Sequence, residues 1–406
     1  MKHAPFFLGR QPIVGAKGEL VAYELLFRSS HKNKATVFDD IAASAGIINY
    51  AFTDLDIESA LAGKPGFINV SQALLMSDVL KMLPQQGVVL EIPETVEFTP
   101  EVVARCRELR QGGYTLALTQ VVALTESQLA VLPFISVVKI NVPALCRDDL
   151  TVLARRSRLY GAQLLAEKID TVVAYEFCRD IGFDLYQGYF FARPTILPGR
   201  LMQSSSLLLL KLISLIARDA EIEELEDALK HAPDLTMRLL RTVNSVALSR
   251  PRKIDSVRGA ILVLGRTPLN RLVQITMFAR QGRLGEGADP VTQLAVIRGR
   301  LMETVAQLLG WSWAVNGAFM IGMLSLVDTL FGHELSEIIT PLNLEENVTQ
   351  ALLHREGQLG LLLQLAEASE LEDSSRVAVL MDALGLHDLD AFNRIQLDAL
   401  RWASSI

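Results

Sequence analysis

Along the first half of the chain, short apolar runs alternate with stretches of helical periodicity. Runs at 21–27, 66–70, 87–92, 115–119, 136–140, 163–166 and 185–190 are rich in Val, Ile, Leu and Phe and predict strands. Segments 38–52, 73–82, 100–111, 127–132, 149–160 and 171–181 predict helices between them. Thr99 before Pro100 reads as an N-cap with proline at the first helical position, and Gly112-Gly113 ends that helix. Repeated strand–helix units imply a parallel sheet with helices outside, and seven or eight of them are enough to close a (β/α) barrel of about 200 residues. From 201 onward the two-residue period disappears. Helical periodicity runs through 207–217, 235–246, 257–264, 268–280, 290–309, 314–331, 344–353, 359–368, 376–384 and 388–403, with Gly265, Gly310, Gly332, Gly357 and Gly385 at joints. Segment 194–199 reads as a linker, so the expected division is an α/β barrel over 1–195 and an all-α bundle over 196–406.

Composition narrows this picture. Of 406 residues 50% are hydrophobic and 21% charged, which suits packed cores and argues against disorder. The three cysteines include no Cys-x-x-Cys pair, which points to a reducing compartment. The first ten residues lack a secretory apolar core, and no apolar run reaches the roughly 18 residues of a membrane span. The expectation is a cytoplasmic protein with no membrane partner. Between 238 and 283 ten basic residues face a single acid, Asp255, whereas from 303 to the end fifteen acids face four arginines. The basic block, with Arg238, Arg241, Arg250, Arg252, Lys253 and Arg258 as candidate contacts, could steer an acidic partner or nucleic acid; solvated helix faces are the plainer explanation. Trp311 and Trp313 read either as core fillers or as interface anchors.

A polar residue stands at or near the end of most of the strands: Glu24, Asn69, Glu91, Lys139, Glu167 and Gln187. Barrel chemistry sits at the C-terminal ends of strands, and unpaired buried charge is expensive, so packing alone explains such a set poorly. Glu24, Asn69 and Glu91 are oxygen donors of the kind that suit Mg²⁺, Mn²⁺ or Ca²⁺. Taken singly, each is more simply a buried salt bridge or a strand-end hydrogen bond; six converging on one rim point to an inherited site.

Residues 6–195 resemble the EAL domain, the cyclic-di-GMP phosphodiesterase family. The resemblance rests on Gln11-Pro12-Ile13-Val14, on Glu24-Leu25-Leu26 at the Glu-Ala-Leu signature, on Phe67-Ile68-Asn69, Leu90-Glu91-Ile92-Pro93-Glu94, Val138-Lys139-Ile140-Asn141 and Ala166-Glu167, and on the closing run from Gln187 to Pro194. It implies a TIM-like barrel with a metal-dependent site. One departure changes the expected chemistry. Where active members carry paired aspartates that bridge two metals, this chain has Thr119 and Gln120, and Val121-Val122 replaces the glycine-rich loop that follows and that supports the family's dimer. Two-metal hydrolysis needs anionic oxygens shared between the cations, and neutral side chains cannot supply them. The expectation is therefore an inactive phosphodiesterase fold with no catalytic residue, no metal and no cofactor. Lys168, beside Glu167, is a candidate stand-in for the lost metal charge. Gln11, Arg28 and Gln187 match positions that touch the nucleotide, while unbalanced Glu24, Glu91 and Glu167 would repel a dianion.

The second half is similar to the HDOD domain, a helical relative of HD-type phosphohydrolases without their catalytic residues. The segment from Ala232 to Ser245 and the following Ile254-Asp255-Ser256-Val257-Arg258-Gly259-Ala260-Ile261 carry that likeness. His387-Asp388 is a literal His-Asp pair, but Asp388 reads as a helix N-cap. The resemblance implies a bacterial signalling protein that works through protein–protein interaction. Its partners would be other signalling proteins, such as two-component or diguanylate-cyclase-pathway members. The alternatives are a cyclic-di-GMP sensor, a weakly active phosphodiesterase, or a nucleic-acid binder using the basic region.

Overall fold

The computed structural model describes residues 6–29, 57–61, 63–188, 204–231, 235–237, 239–240, 243, 256–281, 290–371 and 373–404. The expected helix at 38–52 and the linker at 194–199 lie outside the described residues. Two compact units result, one comprising Met1–Arg193, Leu284–Pro290 and Leu365–Ile406, the other Pro194–Arg283 and Val291–Gln364. The C-terminal segment, expected in the helical half, instead belongs to the barrel unit.

Eight strands close the barrel in sequence order: β1 (Phe6–Gly15), β2 (Leu20–Ser29), β3 (Gly66–Asn69), β4 (Val88–Ile92), β5 (Thr115–Val121), β6 (Val137–Asn141), β7 (Gln163–Glu167) and β8 (Leu185–Gln187). β1 runs antiparallel to both neighbours, β2 and β8, and the other pairs are parallel. Sequence periodicity missed β1 because Gly9, Arg10, Gln11 and Pro12 interrupt its apolar alternation. One apolar side chain from each strand (Ile13, Ala22, Phe67, Val89, Ala117, Val137, Leu165 and Leu185) fills the barrel interior as a buried cluster.

The outer helices follow their local signals. In Pro100–Gln111 the Thr99 hydroxyl accepts the Val102 N–H at 3.4 Å, and Gly113 adopts the left-handed conformation (φ 94°) beyond the last turn. The helix expected over 73–82 breaks into Gln72–Met76 and a 3₁₀ turn, Asp78–Met82, at an extended Ser77. At the other end of the chain, Leu389–Ser404 buries Phe392, Ile395, Leu397 and Leu400. It also brings two buried amides to the backbone of β1: Leu8 N–H donates to Asn393 Oδ1 at 3.2 Å, and Gln396 Nε2 donates to Leu8 O at 3.2 Å. This is the physical reason the C-terminal segment joins the barrel unit. Asp388 accepts the Ala391 N–H at 2.9 Å and caps that helix, as expected.

The second unit is helical throughout its described residues. The expected helix at 314–331 is two, Val315–Leu324 and Val327–Phe331, divided at Ser325, whose hydroxyl donates to Gly322 O and accepts from buried Arg298. The helix Ile222–Lys230 escaped the sequence reading because acids surround its short buried stripe of Leu225, Ala228 and Leu229. Gly322 meets the helix Pro290–Leu308 at Gly299 so closely that a Cβ on Gly322 would lie 2.5 Å from the Gly299 backbone. Among the described residues no single helix is long and apolar enough to cross a membrane.

Two stability outcomes are expected. Gly322→Ala should lower the unfolding free energy by about 1–3 kcal/mol through overpacking, seen as a lower urea midpoint at unchanged slope. Asn393→Ala should cost about 1–3 kcal/mol by leaving the buried Leu8 N–H unpaired, measured in the same way.

Candidate functional site at the barrel mouth

Strand geometry places the site. Side chains two residues apart share a face, so the position two residues from each member of the apolar cluster, toward the mouth, also points inward. Those positions are Glu24, Asn69, Glu91, Thr119, Lys139, Glu167 and Gln187, together with Gln11, which precedes Ile13 because β1 runs the other way. An apolar floor thus carries a polar layer contributed by all eight strands.

The Lys139 ammonium lies at the centre of that layer. It is fully buried and bonds to Glu24 Oε2 at 2.8 Å, to Glu91 Oε1, and to Glu167 Oε1 at 3.3 Å. Its charge also lies 5.8 Å from the centroid of the Phe67 ring in the floor. Glu24 accepts further bonds from Asn69 Nδ2 at 3.0 Å and Gln187 Nε2 at 2.6 Å, and Gln187 also donates to Gln11. Glu167 accepts from the Thr119 hydroxyl and from the Gln120 backbone N–H, both at 2.9 Å.

Three carboxylates around one ammonium do not titrate alike. Burial pushes the Glu24 carboxyl up, but the Lys139 charge and the hydrogen bonds from Lys139 and Gln187 outweigh it, so Glu24 sits below its ordinary range. Glu91 is held well above its ordinary range by burial and by the charge of Glu24, against the pull of Lys139, and its second oxygen has no hydrogen-bond partner. Burial works against the Lys139 ammonium, yet the three glutamates raise its pKa overall.

All six strand-end candidates therefore meet in one place, joined by Thr119 and Gln11. Other expectations change. Gln120 stands where β5 is irregular against β6, with φ 56°, so its side chain is exposed and only its backbone serves the site. Lys168 is exposed (φ 59°), and the cation that meets Glu167 is Lys139. Sequence spacing could not show this, since Lys139 and Glu167 are neighbours only through the β6–β7 pairing. The Arg28 side chain and Arg238, Arg241, Arg250, Arg252 and Lys253 lie outside the described residues. Arg258 forms an exposed ion pair with Glu223 at 2.7 Å. Among the described residues no group of three His, Cys, Asp or Glu side chains is arranged to hold a metal ion.

A closed eight-stranded barrel with an antiparallel first strand and a carboxylate-lined mouth defines the class, and comparison with known proteins gives the family. The EAL domain family matches residues 4–194 and the HDOD domain family matches 206–336, so the chain carries an EAL domain followed by an HDOD domain. Over 98% of both chains it is 29% identical to the uncharacterized protein YuxH of Bacillus subtilis. It is also 29% identical to the cyclic di-GMP phosphodiesterase CdgJ of Vibrio cholerae, over 98% of this chain and 93% of that one. Among solved structures, the Bacillus subtilis YkuI protein, with an EAL domain and in complex with c-di-GMP and calcium, is 20% identical at a TM-score of 0.40, covering 64% of this chain and 72% of that chain.

Opposite pH trends should separate the two carboxylates. Glu24→Gln should lower the unfolding free energy at pH 8 by about 1.5–3 kcal/mol, a loss that shrinks as pH falls and wild-type Glu24 itself protonates. Glu91→Gln should cost less than half as much. Because the Glu91 pKa is raised on folding, the wild type loses its contribution as pH rises through that value, so this variant gains on the wild type with increasing pH. Urea titrations at several pH values measure both.

Proposed function

We propose that this chain is a non-hydrolysing signalling protein of the cyclic-di-GMP pathway that acts by binding other signalling proteins. The observation that carries this reading is the behaviour of β5. At the two positions matching the paired aspartates of active EAL domains, Thr119 donates a hydrogen bond to Glu167, and Gln120 turns its side chain to solvent. No anionic oxygen from β5 reaches the mouth at these positions. The carboxylates that remain are held by Lys139, Asn69, Gln187 and Thr119. Such a donor set does not fit two adjacent cations, which require shared anionic ligands between them.

In this reading the layer is a structural core inherited from an enzyme mouth. Recognition then falls to the surfaces of the barrel and the HDOD domain, and the partners are other proteins of the pathway. The 29% identity to CdgJ over nearly its whole length favours a second reading, hydrolysis by a rearranged metal set.

One assay separates the two readings. Purified protein is incubated with cyclic di-GMP and Mg²⁺ or Mn²⁺, and the linear product is followed by chromatography. Turnover should match that of the Glu24→Gln variant and be insensitive to chelator; chelator-sensitive turnover lost in that variant would establish hydrolysis. Thr119→Asp, which adds a carboxylate to the layer of Glu24, Glu91 and Glu167, should raise Mn²⁺ affinity above that of the natural chain, whereas Gln120→Asp, directed to solvent, should leave it unchanged, both measured by calorimetry.

A further inference from the structure

The helical unit contains a cleft of about 370 Å³ that the reading above does not use. Its walls include Arg266, Asn270, Trp313, Asn316, Gly317 and Asp219. That volume falls in the range of small-molecule sites, which combine an apolar or aromatic surface with a few placed polar groups. Three features of the cleft lack a purely structural explanation.

The first is Trp313. It is 59% exposed, lies alongside Trp311 with ring centroids 6.3 Å apart, and presents a large indole to the cleft. Neither reading as a core filler nor packing within the unit accounts for so much open aromatic surface. The second is Arg266. Asp219, itself in the left-handed conformation (φ 56°), takes the Nε edge of its guanidinium at 3.1 Å, while Nη1 has no hydrogen-bond partner. The left-handed Asp219 caps the end of helix Ser204–Ala217, with the Ala220 N–H donating to Leu215 O at 2.9 Å, and so fixes the carboxylate that holds Arg266 at the cleft wall.

The third is Gly317, inside the helix Val315–Leu324. A Cβ built there would meet nothing within 4 Å. Glycine weakens a helix relative to alanine, and Gly322 in the same helix is required by its contact with Gly299. Gly317 has no such requirement, and its effect is to keep the cleft open.

We infer that this cleft binds a mononucleotide-sized ligand, its planar base against Trp313 and its phosphate on the free edge of the Arg266 guanidinium, with Asn270 and Asn316 available to the base edge. Guanidinium is suited to phosphate, and stacking on an aromatic ring accepts any base. A cyclic dinucleotide, with two bases and two phosphates, is twice this ligand, whereas the cleft offers one exposed indole and one guanidinium. The inference is independent of the proposed function, because it concerns the helical unit and holds whether or not the barrel hydrolyses anything.

Tryptophan fluorescence of the full chain, titrated with GMP and with AMP, tests it. Saturable quenching is expected, weakened about tenfold or more in Arg266→Gln and Trp313→Ala, and largely kept in Trp313→Phe when binding is followed by calorimetry. Gly317→Leu should abolish binding while leaving the thermal midpoint unchanged or higher, which rules out unfolding as the cause. Guanosine and ribose 5-phosphate should each bind at least about tenfold more weakly than GMP. The inference is overturned by an absence of saturable binding at millimolar GMP, by equal binding of ribose 5-phosphate, by an unaffected Gly317→Leu variant, or by competition from cyclic di-GMP in that variant's parent.

Discussion

One buried ammonium organises the barrel mouth. Inward-facing positions recur every second residue, so each strand that contributes to the apolar floor must contribute another inward side chain one layer higher. In this chain those side chains are polar, and three are carboxylates. Like charges so close in a low-dielectric interior repel strongly, and a fully buried carboxylate without a partner is expensive. Lys139 resolves the conflict by touching Glu24, Glu91 and Glu167 together, while the floor ring of Phe67 lies near its charge. One cation does not balance three anions, and the mismatch falls on Glu91, whose environment favours its protonated form. The surrounding hydrogen bonds from Asn69, Gln187 and Thr119 supply the rest.

Much of this was legible in the sequence. Strand-end polar residues could be read from alternation and turns, and the order of Glu24, Asn69, Glu91, Lys139, Glu167 and Gln187 pointed to one rim. Local signals also located the helix after Thr99 and the cap at Asp388. What stayed hidden depends on distance in sequence or on backbone conformation. β1 carries too many breaks to show a period, and it is recognisable only once β2 and β8 are there to pair with it. Lys168 looked like the compensating cation because it adjoins Glu167 in the chain, but it lies just past the end of β7 in a left-handed bend and is exposed to solvent. The backbone role of Gln120 follows from a left-handed residue that no composition rule singles out.

The extent of the barrel unit was the largest hidden feature. Periodicity identifies a helix over 388–403 but cannot say what its polar stripe faces. Asn393 and Gln396 lie on its buried side, a poor arrangement for packing against another apolar helix. It becomes favourable against β1, an antiparallel strand whose Leu8 N–H and C=O both find an amide there. The chain therefore returns to the barrel after the helical unit, and the barrel's first strand is finished by residues nearly four hundred positions away.

That closure bears on how the barrel mouth and β1 are linked. The N-terminal end of β1 extends toward the mouth, and Gln11 bonds Gln187, which in turn bonds Glu24. Leu8, held by the C-terminal helix, lies three residues from Gln11 on that strand. A displacement of the helix Leu389–Ser404 would therefore leave buried backbone groups of β1 unpaired next to the residue that starts the hydrogen-bond chain into the carboxylate layer. An enzyme mouth requires some freedom to admit and release substrate. Here the polar layer is cross-bonded from within by Lys139 and its first strand is fixed from outside by two amides, so any such freedom at the mouth is coupled to the seating of the C-terminal helix on β1.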